Sequence, residues 1–261
     1  MEQSFLQNGY IIADVENDIS FKWISKSVFQ IATNHLSIQK NISEVDFFND
    51  IHEYVSPENL NALRLAIIHD LTSNPEFKEH YYSLAKTAIH TLVGNELAIQ
   101  KGLGLNIQMP NDQSSLLPIH SDIWGSECSP FEVVLWLPLV DCFRTKSIFV
   151  LPPEKDRYWR KKIHEFQSME EIFNAVKEDL IWINIKRGQF LLFTHTILHG
   201  NRTNEELSSR WSFNIRFKSL LSPYAGKGFG DYFQPLRIKP ATKIGMQFQF
   251  PRATKEQIKG E

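Results

Sequence analysis

The chain has 261 residues, 42% of them hydrophobic, enough for one well-buried core. Its formal net charge of −2 leaves no basic excess for a nucleic-acid backbone, so that partner class is not expected. It holds no apolar run of the roughly 18 residues that a membrane span needs.

The first hundred residues read mainly as helix. The opening residues lack the basic-then-apolar order of a secretory signal. Phe47, Phe48 and Ile51 mark a short helix. Ser56-Pro57-Glu58 opens a longer one, with Ser56 placed as N-cap and Pro57 at the first helical position. A second long helix is expected from Pro75 to about Leu97. Near Lys101 the pattern changes. GLGLNIQMP, FEVVLWLPLV, SIFVLPP, IWINIK, GQFLLFTHTIL and SSRWSFNIRFK alternate, which predicts strands. A helical insert over about 153–179 divides them, and the tail from Ser222 reads as ordered loop with short strands. Helices followed by many antiparallel-type strands predict a single α+β domain over 1–261. Its first hundred residues would support a double-stranded β-helix (jelly roll) over 101–221, with 222–261 as tail.

His120 and Asp122 are two apart, so on a strand both point to one face and can reach one ion. His199, followed by Gly200, ends a later strand. Two imidazoles and one carboxylate on one face of a metal leave open positions, which suits non-haem iron and oxygen chemistry. His195 has the same parity and is the rival ligand. His199 is preferred because Arg210 lies eleven residues beyond it, in SSRWSFNIRFK. There Arg210, Ser212, Asn214, Arg216 and Lys218 share one face, and Trp211, Phe213, Ile215 and Phe217 share the other. The apolar face should pack under the N-terminal helices, so the polar face should line a pocket. A guanidinium there can clamp a carboxylate through two parallel hydrogen bonds. Asn106, Gln108 and Glu132 are candidates for the same pocket by strand parity. Cys128 and Cys142 cannot build a disulfide framework and lack CxxC spacing, so a reducing, cytoplasmic location is expected.

HSD at 120–122, WLPL at 136–139, LHGN at 198–201 and SRWSFNIRF at 209–217 together resemble the phytanoyl-CoA dioxygenase-like branch of the Fe(II)/2-oxoglutarate-dependent oxygenases. FLQNGYII at the start is similar to the opening of that family. RWSFNIRFKSLLSPY and KPATKIGM resemble a subgroup found among bacterial surface-carbohydrate biosynthesis genes. The chain departs from many relatives at Thr145-Lys146-Ser147 and Leu151-Pro152-Pro153. The resemblance implies a dioxygenase whose His120, Asp122 and His199 bind iron. It implies that Arg210 holds the distal carboxylate of 2-oxoglutarate, with Gln108, Trp136 and Ser212 in the cosubstrate pocket. Asn106, Glu132, Asn214 and Arg216 are then the candidate substrate contacts. O2 would be the second cosubstrate, and the substrate a small molecule, a sugar derivative rather than an acyl thioester. A carboxylate at 122, where Gly or Ala would leave room for a halide, points to hydroxylation. Two other readings stand beside this one. A cupin-like metal-dependent sugar isomerase or epimerase would need neither Arg210 nor 2-oxoglutarate, and a non-catalytic jelly-roll binding protein would turn nothing over.

Overall fold

In the computed structural model, which describes residues 1–125 and 127–249, helix α1 (Glu2–Asn8) ends at Gly9 and leads into β1 (Tyr10–Asp14). Asn17 caps α2 (Asp18–His35), its side chain accepting from the Ser20 amide at 2.9 Å. Ser43 caps α3 (Glu44–Asn49) in the same way. Ser56 stands at the N-cap of α4 (Pro57–Ser73), but its side chain makes no capping bond, and Pro57 starts the helix as the sequence predicts.

The long helix expected after Pro75 is instead two short ones and a strand. Helices α5 (Phe77–Ser83) and α6 (Lys86–Leu92) are parted at Ala85, whose backbone leaves the helical region at φ −145°, ψ 32°. The free amides of Thr87 and Ala88 at the new helix start are taken by the Glu16 carboxylate at 2.7 and 3.0 Å. Strand β2 (Leu97–Gln100) follows, and all its residues are buried, so no alternation betrays it in the sequence.

The remaining strands are β3 (Gly104–Gln108), β4 (Glu132–Pro138), β5 (Phe149–Val150), β6 (Ile181–Trp182), β7 (Gln189–Thr194), β8 (His199–Gly200), β9 (Arg210–Ser219) and β10 (Phe233–Arg237). Helices α7 (Pro153–Arg160) and α8 (Met169–Val176) lie between β5 and β6. Helix α9 (Pro240–Gln247) stands in the tail, where only loop and strand are expected, and residues 250–261 of that tail lie outside the described residues. Among the described residues the main sheet runs β1-β7-β4-β9-β2-β10, with β3 also on β9, and each of these strand pairings is antiparallel. A small sheet runs β6-β5-β8. No helix among the described residues is long and apolar enough to cross a membrane.

Strand β9 organises the molecule. Trp211, Phe213, Ile215 and Phe217 are buried on its helix side. The Trp211 ring lies 5.1 Å from Phe48 and 6.2 Å from Phe47 of α3, and Phe217 lies 6.5 Å from Tyr82 of α5. Burying side chains of this size contributes roughly 1.5–3 kcal/mol each, which fixes the strand's register and turns its polar residues to the opposite side.

Candidate metal and cosubstrate site

His120 and His199 meet in an isolated antiparallel bridge, each backbone amide donating to the other's carbonyl at 2.9 Å. Asp122 follows in a turn rather than on a regular strand, so the two-residue spacing works through this bridge and not through strand parity. A Cβ at Gly200 would stand 2.8 Å from the Leu117 carbonyl, so only glycine lets the two segments approach. His120 Nε2 lies 3.4 Å from one Asp122 oxygen and His199 Nε2 lies 3.9 Å from the other. Each imidazole donates its Nδ1 hydrogen to a carbonyl at 2.8 Å, His120 to Pro118 and His199 to Ile197. Those bonds fix the tautomer that leaves both Nε2 lone pairs facing Asp122. The three ligand atoms lie within 4.8 Å of one another, as an ion would require.

The strand expected through THTIL breaks after Thr194, and His195 begins a turn. Asp156 of the helical insert holds this turn: one oxygen accepts from the Leu198 amide at 3.0 Å, and the other pairs with Arg160, which also donates to the Thr196 carbonyl at 3.0 Å. The carboxylate is 1% exposed, and burial pushes its pKa up. Asp156→Ala would leave the Leu198 amide without an acceptor beside His199. It should destabilise the protein by about 1–3 kcal/mol in urea denaturation, and Asp156→Asn, which keeps an acceptor, by less.

His195 is not placed to join the ion site. Its Nε2 donates to the Ser129 carbonyl at 2.8 Å, and its Nδ1 faces Arg216 at 3.3 Å. Cys128, Glu132 and His195 form a second cluster of potential ligands, but a guanidinium fills it. Arg216 Nη1 reaches Cys128 Sγ at 3.0 Å and Glu132 at 3.2 Å, and Nη2 donates to Asp122 at 2.8 Å. Glu132 takes the Ser129 amide with its other oxygen at 2.8 Å. Glu132 therefore lies in the network behind Asp122 and does not line the cavity.

Burial raises the Asp122 pKa, but the His120 hydrogen bond and the charges of His199 and Arg216 outweigh it and hold the carboxyl well below its usual range. Burial, reinforced by His120, lowers His199 to about 4. Burial also works to lower His120, but hydrogen bonds to Asp122 and Pro118 leave it raised. In the metal-free protein the folded state thus resists protonation of His199, while the unfolded chain takes up that proton near pH 6.5. Stability from this residue is intact above about pH 6.5 and is lost as pH falls towards 4. Urea denaturation of the apoprotein should show that decline, and His199→Gln should flatten it.

Register pairing sets Gln108 opposite Arg210 and Asn106 opposite Ser212, so these four share one face. Arg210 is 1% exposed, and among the described residues no acidic side chain pairs with it. It donates to Asn106 Oδ1 at 2.6 Å and to the Ser147 carbonyl at 2.9 Å. Burial lowers its pKa to about 10, so it keeps its charge at neutral pH. Around it Arg210 Nε, Gln108 Oε1, Ser147 Oγ and Ser212 Oγ are buried without a hydrogen-bond partner. Asn106 gives its amide hydrogens to the Ser115 carbonyl at 3.1 Å, so it positions Arg210 rather than meeting the cavity. Nothing in the sequence marks Ser147, because its part depends on a carbonyl delivered by a loop.

A cavity of about 100 Å³ opens at the ion group, and Arg210, Gln108, Ser147 and Ser212 are buried outside its lining. The ion group, Val134 and Trp136 of β4, Phe193 of β7, and Asn214 and Arg216 of β9 line it, with Ile148 next to Ser147. A more open hollow bordered by Phe143, Arg144, Thr145, Trp182 and Asn184 carries only one charged side chain and no ligand group for a metal.

No family model matches the chain, and no curated protein matches it. Solved structures do. The nickel complex of the non-heme monooxygenase ThoJ is similar at 14% identity and a TM-score of 0.52, covering 99% of this chain and 91% of that one. EctD from S. alaskensis in its apoform aligns at 15% identity and 0.54, over 85% of this chain and 77% of that one. AviO1 from Streptomyces viridochromogenes Tue57 aligns at 13% and 0.51, over 86% and 96%. The chain therefore has a fold, helices backing an antiparallel sheet, that a non-heme monooxygenase also uses.

Proposed function

We propose that the protein is a non-haem Fe(II)/2-oxoglutarate-dependent oxygenase whose two sheets form a double-stranded β-helix. The observation that carries this is Arg210, a buried cation with no acidic partner among the described residues. Burying an unpaired charge is costly, so the site is built for an anion that the described residues do not supply. The unpartnered atoms of Gln108, Ser147 and Ser212 beside it are donors and acceptors for that anion. A dicarboxylate with its far end on Arg210 and its keto-acid end at His120, Asp122 and His199 satisfies both halves.

The donor set fits iron: two neutral imidazoles with lone pairs turned inward and one carboxylate that stays ionised. When bound, iron and 2-oxoglutarate supply the oxidising power, consuming O2 and releasing succinate and CO2 as the substrate is hydroxylated. The chain's own part is geometric. His120, Asp122 and His199 hold one face of the ion, Arg210 and Ser212 orient the cosubstrate, and Val134, Ile148 and Phe193 keep water from the reacting face. The substrate we propose is a sugar or sugar-bearing metabolite. Support comes from the carbohydrate-gene subgroup that the C-terminal half resembles and from the mix of polar and aromatic side chains on the cavity wall.

Anaerobic titration with Fe(II) and 2-oxoglutarate tests the class: a weak visible charge-transfer band of the chelate is expected, and its absence would overturn the reading. Succinate production across a panel of nucleotide sugars, amino sugars and acyl-CoA thioesters tests the substrate. Stimulation by the thioesters alone would refute a carbohydrate.

A further inference from the structure

Five polar side chains of β9 face away from the helices, and the structure accounts for four of them. Arg210 and Ser212 belong to the buried anion pocket. Arg216 is satisfied by Asp122 and Glu132, and Lys218 donates to the Pro223 carbonyl at 2.6 Å. Asn214 is different. It lines the cavity with the ion group, and among the described residues its carboxamide makes no hydrogen bond.

The space it occupies is made by a glycine. Gly104 stands opposite Asn214 across β3 and β9. A Cβ at Gly104 would lie 2.0 Å from Asn214 Oδ1, 2.6 Å from Cγ and 2.9 Å from Nδ2, so the carboxamide rests directly over the glycine backbone. Gly104 is not in the left-handed region, so nothing in its own conformation calls for glycine. On the other side β4 sets Trp136 opposite Asn214, and the indole N–H is likewise without a partner among the described residues. The other carboxamide on the wall, Asn201, accepts from the Leu117 amide at 2.7 Å and donates to the Ser115 carbonyl at 3.3 Å, so the wall offers one free neutral donor–acceptor group and one free neutral donor. The single cation on it, Arg216, already meets two carboxylates.

We infer that Asn214, seated over Gly104, is the specificity-determining residue of this site and reads an uncharged hydrogen-bonding group of the substrate, a hydroxyl or an amide. This rests on the oxygenase reading above. The carboxamide both donates and accepts, which matches a hydroxyl or an amide edge but gives an anion or an ammonium no compensating charge. Gly104 acts through Asn214 alone: any side chain there pushes the carboxamide off its seat and into the cavity.

The test uses Gly104→Ala, Asn214→Ala and the double variant. The probe is the nucleotide sugar or amino sugar that most stimulates succinate formation by the unaltered protein. Each single variant should raise the KM for that probe roughly tenfold, the range set by leaving one buried hydrogen-bonding group unmet. Affinities for Fe(II) and for 2-oxoglutarate, read from the anaerobic band, should stay within about twofold, since neither residue touches Arg210 or the ion group. The double variant should be no worse than Asn214→Ala, because alanine at 104 has no carboxamide left to displace. An unchanged KM in Asn214→Ala, or losses that multiply in the double variant, would overturn the inference. Absence of the band in the unaltered protein would instead remove the oxygenase reading, and calorimetry with the same panel of nucleotide sugars and amino sugars would then test Asn214 by itself: weaker binding by Asn214→Ala than by the unaltered protein would keep its role, and equal binding would overturn it.

Discussion

Asp122→Ala, His120→Ala and His199→Ala should each abolish stable Fe(II) binding, and His195→Ala should keep it. The three lost groups are the ones whose ligand atoms converge within 4.8 Å with lone pairs turned to a common centre. Asp122 is the only carboxylate of the set, and its removal also leaves Arg216 facing the centre without its nearest partner. Two neutral imidazoles beside a guanidinium that keeps only Glu132 as a carboxylate partner then lack the charge to hold a divalent ion. Loss of an outer hydrogen-bond partner alone typically costs about 10–100-fold in metal affinity, and loss of a direct ligand should exceed that. Arg216→Ala should sit in that smaller range, because Arg216 orients Asp122 at 2.8 Å and does not itself bind metal. His195 lies 3.6 Å from Asp122, but its two nitrogens are spent on Ser129 and Arg216. Metal content after anaerobic loading and desalting decides among the variants. Iron lost from His195→Ala and kept in His199→Ala would reverse the ligand assignment.

What could be read from the sequence follows from how far each feature depends on its neighbours in the chain. The alternation of SSRWSFNIRFK is a property of β9 alone, so both its faces are legible: Trp211 and Phe217 do pack on the helices, and Arg210 does lie opposite them. Asn106 and Gln108 fall on the same side because β3 pairs with β9 in the matching register. Parity misleads at His195. THTIL continues the alternation in sequence, yet the strand ends at Thr194, where Asp156 from the insert takes the Leu198 amide and a turn replaces the ladder. No local signal records that contact. The same holds for Glu132, Cys128 and Arg216, which meet only because two strands and a loop close around one guanidinium. Strand β2 escapes for a different reason, since a fully buried strand has no polar face to alternate with.

Arg210→Ala should weaken 2-oxoglutarate binding by about thirty-fold to several thousand-fold. Truncating one partner of a buried charge pair costs on the order of 2–5 kcal/mol, and each 1.4 kcal/mol is tenfold in affinity. The upper part of the range is favoured by the surroundings: Arg210 is buried, and among the described residues the unpartnered atoms beside it are neutral. Lysine at 210 should recover only part of the loss, because an ammonium cannot present two parallel donors to a carboxylate while holding Asn106 and the Ser147 carbonyl. The folded protein gives an independent readout. Since no acid among the described residues balances Arg210, Arg210→Met removes a desolvated charge and should cost the apoprotein little stability. Cosubstrate at a hundredfold excess over its Kd, with a redox-inert divalent ion present, should stabilise the unaltered protein by about 2.7 kcal/mol. The same addition should leave the thermal midpoint of Arg210→Met almost unmoved. Equal stabilisation of both proteins by 2-oxoglutarate would mean that another group holds its distal carboxylate, and Arg210 would then have to be explained as a structural cation.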